Sequence, residues 1–411
     1  MLTQHDYDIL RPLVIQYAEI AALPVQKAKI QLWKDHNALR SARPMVLVDQ
    51  ICWNELRVDP FLTPHCDDPY WKGVETDLRQ KLYCWKHLPV DMVFNPYISF
   101  PKPIENTLWG LHAEFEQRSQ QSDDSLLSVH YDNILEEEED IEKIKMPVIT
   151  LDEARMAQIR EEADRLCEGV IPYRLYGQQI HCGVWDRISE WMGVTNCYME
   201  LIDRPEFLHA IMERLTQGLL SQIDQLNKLG AYDTTTQLTH CSHTYSDDLP
   251  KAGADPDFGT TENGWAFGLA QLFTACSPDV TEEFEVPYMN RVFPHFGAVY
   301  YGCCERLDDR MDVIAKLKNI RKISCSPWSK KEHFAETMPD WCIMSNKPNP
   351  ALLATESFDE EAVRRDLRET IAAARHYGRN LEMIQKDIST VHNDPQRLWR
   401  WAEIAMEEAQ R

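Results

Sequence analysis

The sequence predicts an α/β chain folded as one large (βα)8 barrel. Three observations lead there. Helical and strand-like apolar patterns alternate along most of the chain, which is the mark of parallel βα units. Eight short apolar runs qualify as strands, the number a closed barrel needs. Neither an internal repeat nor the Gly-x-Gly-x-x-Gly turn of a dinucleotide-binding sheet offers a rival architecture. At 411 residues, 44% of them apolar, the chain can bury a substantial core.

Taken in order, the first forty residues read as two helices, near 6–22 and 25–34, because apolar residues recur at helical spacing as far as Arg43 and Pro44. Residues 53–85 are rich in Pro, Asp and Trp without a clear period, so an irregular segment is expected there. Residues 1–85 thus form an N-terminal extension packed on a barrel that occupies 86–411. The first strand is expected at 90–97. An insertion near 101–147 carries the acidic run 136–140, and such runs are ordinarily solvated surface. Beyond it, Asp203 and Pro205 open a helix stopped by Gly230, Ser277 and Pro278 open another, and Asp359 opens a third ending at Gly378. The remaining strands are expected near 148 and at 171–175, 232–240, 298–303, 322–326, 341–345 and 380–386.

Composition narrows the function. A formal charge of −23, from 66 acidic and 43 basic residues, argues against nucleic acid or an anionic membrane as the partner. Twelve scattered cysteines suit a reducing compartment. The start lacks the basic and apolar regions of a secretory signal and no run of eighteen apolar residues occurs, so the expected location is the cytoplasm.

In a parallel barrel, chemistry sits where strands end and loops begin. Tyr301, Cys303 and Glu305 alternate onto one face if the strand persists, with Cys304 opposed, and a thiolate and carboxylate converging there suit a zinc site. Such cysteines also serve as small buried apolar residues. His240, Cys241 and His243 offer donors at a loop, or form an ordinary hydrogen-bonded turn. Lys386 and Asp387 read as a general acid with its orienting partner, or as a salt bridge closing the last strand. Asn346, Lys347 and Asn349, separated by prolines, look like substrate-orienting groups on a rigid turn. Trp265 either walls a pocket or serves the core.

These segments form a pattern: Tyr300-Tyr301-Gly302-Cys303-Cys304-Glu305, then Arg321-Lys322-Ile323-Ser324 with Ser326-Pro327-Trp328, then Lys347-Pro348-Asn349-Pro350, then Lys386-Asp387. The pattern resembles the uroporphyrinogen decarboxylase superfamily, specifically its branch found near corrinoid-dependent methyl-transfer systems. The likeness reaches back through Gly264-Trp265 to about residue 170 and is only general before 150. It implies a distorted (βα)8 barrel. It also implies a zinc site written His-x-Cys with a second Cys at the last strand end. Here those places hold Tyr301-Gly302-Cys303 and Lys386-Asp387, so one of the three ligands is retained and the zinc site is either absent or altered, in the second case with Cys303, Glu305 and Glu382 as the expected ligands and Asp387 or the His240 cluster as further substitutes.

The function implied is transfer of a methyl group from a small O-, N- or S-methylated substrate to the cobalt of a corrinoid carried by a partner protein. Lys386, Asp387 and Glu305 would be catalytic, and Tyr301, Asn346, Lys347, Asn349, Trp265 and His240 would bind substrate. The alternative is decarboxylation of uroporphyrinogen or a smaller acid. Against it, the Arg-Gln-Ala-Gly-Arg segment of the true decarboxylases is missing, and Arg40 with Arg43 does not reproduce it. A non-catalytic protein holding a corrinoid or tetrapyrrole is the third possibility.

Overall fold

The structure, a computed structural model, describes residues 1–117 and 129–411. Its centre is a six-stranded, all-parallel sheet made of β1 (Met45–Val48), β2 (Trp265–Gly268), β3 (Ala298–Tyr301), β4 (Ile320–Cys325), β5 (Ile343–Asn346) and β6 (Leu381–Gln385). The spatial order is β1-β6-β5-β4-β3-β2. Both faces are covered, which explains why these strands read as apolar runs rather than as alternating ones. Met45, Leu47, Phe267, Tyr300 and Ile384 pack on the inner face. Val46, Ala266, Val299, Tyr301, Ile323, Met344 and Met383 pack against the helices outside.

Four of the expected strands, those at 298–303, 322–326, 341–345 and 380–386, are β3 to β6. The others differ. The sheet gains β1 and β2, which were not expected as strands. Residues 90–97 form no strand, because side chains of the N-terminal helices take backbone groups that a neighbouring strand would use. Gln26 accepts from Phe94 N–H at 2.9 Å and Tyr17 from Asn95 N–H at 3.1 Å. Asp91 alone joins the sheet, donating its N–H to Val46 O at 2.9 Å. Near 148 the chain makes an antiparallel pair, Ile149–Leu151 with Ile104–Asn106, away from the main sheet. The 171–175 run is Tyr173–Tyr176, paired in parallel with Ile98–Pro101. At 232–240 the chain forms one parallel bridge, Gln178 to Tyr232, and a two-residue antiparallel pair, Leu238–Thr239 with Ser242–His243, outside the main sheet. There the Asp233 carboxylate turns the chain at once by accepting from Thr235 and Thr236 N–H, at 2.8 and 3.1 Å.

The N-terminal helices are α1 (Gln4–Ala21) and α2 (Pro24–Asn37), close to expectation. Thr3 and Asp6 form a capping box at the first. The segment 53–85, expected to be irregular, contains the 19-residue helix α3 (Pro69–His87). Asp68 caps it and Pro69 fills its first position, so residues that read as breakers are its start signal. Later come α4 (Pro205–Leu229), α5 (Glu360–His376) and α6 (Gln396–Ala409). The first ends on Gly230 at φ +59°, and the second opens on Asp359, which accepts from Glu361 and Ala362 N–H. The helix opened at Ser277 is the short Pro278–Phe284. In the expected insertion, Glu138–Lys143 is a 3₁₀ turn, while 118–128 lie outside the described residues. Among the described residues no helix is long and apolar enough to cross a membrane.

Candidate active site

At the carboxyl edge of the sheet, β3 ends on Gly302, whose φ of +89° belongs to the left-handed region. A Cβ there would lie 2.7 Å from Leu307 Cδ1. The turn is clamped by Glu305, which accepts from Cys303 N–H at 2.7 Å and from Ala270 N–H at 3.3 Å. Ser324 adds a bond to Cys303 O at 2.7 Å. This kink breaks the strand alternation, so Cys303 packs inside with Tyr300 while Tyr301 faces the helices and bonds to Glu285 at 3.2 Å. Gly302→Ala is therefore expected to cost about 1–3 kcal/mol and to displace the Cys303 thiol. Denaturant titration, with the rate of Cys303 alkylation alongside, checks this.

From β6, Lys386 reaches inward and is almost fully buried. Its Nζ lies 2.9 Å from Cys303 Sγ, 3.0 Å from His240 Nε2 and 3.2 Å from Asp387 Oδ2. His240 stands in a tight turn at φ +50°, its ring stacked on Phe267 with centroids 3.9 Å apart. Cys304 Sγ lies 3.4 Å from Cys303 Sγ and 3.0 Å from Asp387 Oδ2.

The Cys304 thiol donates toward Cys303, and with His240 and Lys386 it holds Cys303 far below the usual thiol range, to about 3, against the opposing effect of burial. Cys304 is pushed the other way by the sulfur beside it and stays a thiol. Burial disfavours charge on Lys386, yet the Cys303 and Cys241 sulfurs outweigh it and raise its affinity for the proton. Against burial, the Cys241 and Cys303 sulfurs raise His240 to about 9, so His240 and Lys386 compete for the proton at their 3.0 Å contact, and His240 accepts at Nε2 when Lys386 is the ammonium. Glu305 is raised to about 7, first by burial and then by the Cys303 charge.

A second buried lysine, Lys347, bonds to Tyr300 OH and to Ser345 Oγ, the latter at 2.7 Å. Deeper inside, Lys322 pairs with Glu382 at 2.7 Å and with Ser242 Oγ at 2.7 Å, and His36 Nε2 lies 3.3 Å from the same carboxylate. A cavity of about 340 Å³ opens at the sheet edge, with Cys303, Cys304, Lys347, Lys386, Asp387 and Trp328 on its walls. His240 lines a different cavity of about 430 Å³ together with Tyr17, Asn95 and Gln179.

Of the residues singled out from sequence, Cys303, Lys386, Asp387 and His240 meet, and Lys347 and Asn349 share the 340 Å³ cavity. Asn349 also caps the short turn Pro350–Leu352. Glu305 clamps the loop, and Glu382 is engaged by Lys322. Asn346 faces the helices, donating to Cys325 O at 3.4 Å. Trp265 lies three residues before the strand end, with Arg321 stacked over its ring at 5.1 Å. Arg40 and Arg43 are engaged by acidic partners, with Arg43 held by Asp91 at 2.6 Å. Two neighbours were missed. Tyr300 holds the place beside Cys303 that was expected of Tyr301, which faces the helices instead, and Asp49 follows β1, where burial raises its pKa against the pull of His240 and Lys386. The run Met45-Val46-Leu47-Val48 followed by an acid was the available signal for Asp49.

Cys303 Sγ, Cys304 Sγ and an Asp387 oxygen lie within 4.8 Å of one another. Two sulfurs and one carboxylate oxygen beside a cavity suit zinc with an open position, so the donor set fits that ion. Glu305 and Glu382 stand outside this group.

Fold and site together define an α/β protein with a buried cysteine–lysine–histidine cluster at the carboxyl edge of a parallel sheet. No family profile and no curated protein sequence matches the chain. Among solved structures, a methyltransferase from Methanosarcina mazei shares the fold, with a TM-score of 0.50 over 93% of this chain and 98% of that one, at 10% identity.

Proposed function

We propose that this chain is a methyltransferase that moves a methyl group from a small O-, N- or S-methylated substrate in the 340 Å³ cavity to the cobalt of a corrinoid on a partner protein. The observation that carries the reading is the buried Lys386 ammonium set on Cys303 at a cavity wall, a proton donor where a leaving heteroatom needs one. The methyltransferase with the similar fold and the motif resemblance support the same reaction class. We also read the six-stranded sheet as the continuous part of an interrupted (βα)8 barrel. The bridges Gln178 to Tyr232 and His181 to Phe267, with the pair at Ile98–Pro101, are the support for its remaining arc.

The partner's reduced corrinoid, as co-substrate, supplies the electron pair for the new bond to the methyl carbon, while the bond from methyl to heteroatom breaks and its electron pair stays on the heteroatom. Lys386 donates a hydrogen bond from its ammonium to that atom as negative charge builds there, and His240, accepting at Nε2, fixes the direction of the ammonium. Cys303, Cys304 and Asp387 would hold a zinc ion, which supplies Lewis acidity to the same heteroatom when bound. The Asp387 side chain is 43% exposed, so the reacting edge is open to a partner.

The test is an assay of the purified protein with methylated phenols, amines and thiols and reduced cobalamin. Methylcobalamin should form from at least one class, and its absence with all three would remove the reading. The zinc ligands make a separate prediction. Bound zinc should be stoichiometric in the wild type, lost in Cys304→Ala and kept in Glu305→Gln, as measured by elemental analysis.

A further inference from the structure

The larger cavity, of about 430 Å³, shares no lining residue with the 340 Å³ cavity and has no part in the methyl transfer proposed above. It opens where α1, α3 and the strands Ile98–Pro101 and Tyr173–Tyr176 approach the chain from Asp233 to His243. Two buried side chains on its wall carry an unused polar atom. Asn95, 7% exposed, accepts from Tyr245 OH at 2.7 Å through Oδ1. Its Nδ2 has no hydrogen-bond partner among the described residues yet is not sealed within the protein, so it opens on the cavity that Asn95 lines. His243, 9% exposed, stands beside the same tyrosine, with ring centroids 5.3 Å apart. Burial lowers its pKa to about 4, so the ring is neutral, and Nδ1–H donates to Gln237 O at 3.2 Å. Nε2 is left as an acceptor with no partner among the described residues, likewise unsealed. A donor and an acceptor idle in so buried a place cost free energy that a ligand recovers.

The charged groups on the wall are already answered. Lys81 pairs with Asp77 at 2.7 Å, and His240 is engaged by Lys386 at 3.0 Å. The Asp233 carboxylate accepts from Thr235 and Thr236 N–H, from Thr236 Oγ1 and from Gln179 Nε2. A charged ligand would be buried here without an opposite charge of its own, which selects a neutral one. A hydroxyl donates and accepts at one atom, so it serves Asn95 Nδ2 and His243 Nε2 alike, and Ser99 and Tyr176 add hydroxyls to the wall. Leu78, Val93 and Ile98 give the wall an apolar part. A sugar ring matches both, with hydroxyls round its edge and C–H groups on its faces, and the volume falls in the range of small-molecule sites. We propose that this cavity binds a small neutral sugar, its hydroxyls on Asn95 and His243. Such binding is independent of methyl transfer.

The test is calorimetric titration of the whole purified protein, without corrinoid, using glucose, galactose, mannose and xylose beside the charged sugars glucuronate and glucosamine. At least one neutral sugar should bind saturably, and about tenfold or more tightly than either charged one, because a buried charge finds no partner there. Asn95→Leu should weaken that sugar by about three- to tenfold, the worth of one hydrogen bond. Amide hydrogen exchange of the wild type with and without the sugar should show protection within residues 93–99 and 233–243. Binding of none of the four, a charged sugar that binds as tightly, or protection confined to the segments around Cys303 and Lys386 would each overturn the proposal, and none of these needs a variant. Unchanged affinity in a folded Asn95→Leu would overturn it as well.

Discussion

Lys386→Met is expected to lower the rate of methyl transfer by about 10²–10⁴-fold, the range that a positioned proton donor contributes. Methionine roughly keeps the length and apolar stem but removes the ammonium that now touches Cys303, His240 and Asp387. The loss should depend on the donor. An aryl ether leaves as an oxyanion and needs the proton most, whereas a quaternary ammonium leaves as a neutral amine and needs none. A rate ratio that is large for the ether and near unity for the quaternary amine identifies stabilisation of the leaving group's charge by the Lys386 ammonium. An equal loss with both donors would instead assign Lys386 the task of holding Cys303 in place. Steady-state rates for the two donor classes, wild type against variant, decide between these.

How far the site was legible follows from which forces arranged it. The strand ends β3 to β6 could be read because both faces of a parallel sheet are buried, so each strand is an apolar run closed by polar residues. The meeting of Cys303 with Lys386 was within reach for that reason, although 83 residues separate them. The face that Tyr300 and Tyr301 present was not, since it turns on one left-handed glycine and on a clamp from Glu305 to two backbone amides. Alternation carried past Gly302 inverts the assignment. The 90–97 segment misled for another reason. Its apolar residues are those of a buried strand, but its backbone partners are Gln26 and Tyr17 from the N-terminal helices, contacts that leave no local pattern. Asn346 and Trp265 show the same limit from the other side. Their residue types suit a site, and only the register places one among the helices and the other away from the strand ends.

Glu382→Gln is expected to cost about 3–5 kcal/mol of stability, the penalty for leaving one partner of a buried ion pair alone. Glu382 and Lys322 are both fully buried, and the carboxylate also accepts from Ser242 at 2.8 Å. Burial by itself would raise the Glu382 pKa, but Lys322 and then His36 outweigh it and hold the carboxyl well below the ordinary range. The contribution is therefore complete above the ordinary carboxylate pKa and fades as pH falls toward the depressed value, so wild type and variant should converge in acid. Replacing both partners at once, with Glu382→Leu and Lys322→Met, should cost much less than either single change, because no buried charge is then left unpaired. Denaturant unfolding at neutral and acidic pH measures all three. Zinc content of the folded Glu382→Gln then separates two roles. Unchanged stoichiometry fits a carboxylate committed to Lys322, and loss of the metal would return Glu382 to the ligand set despite its distance from the cysteines.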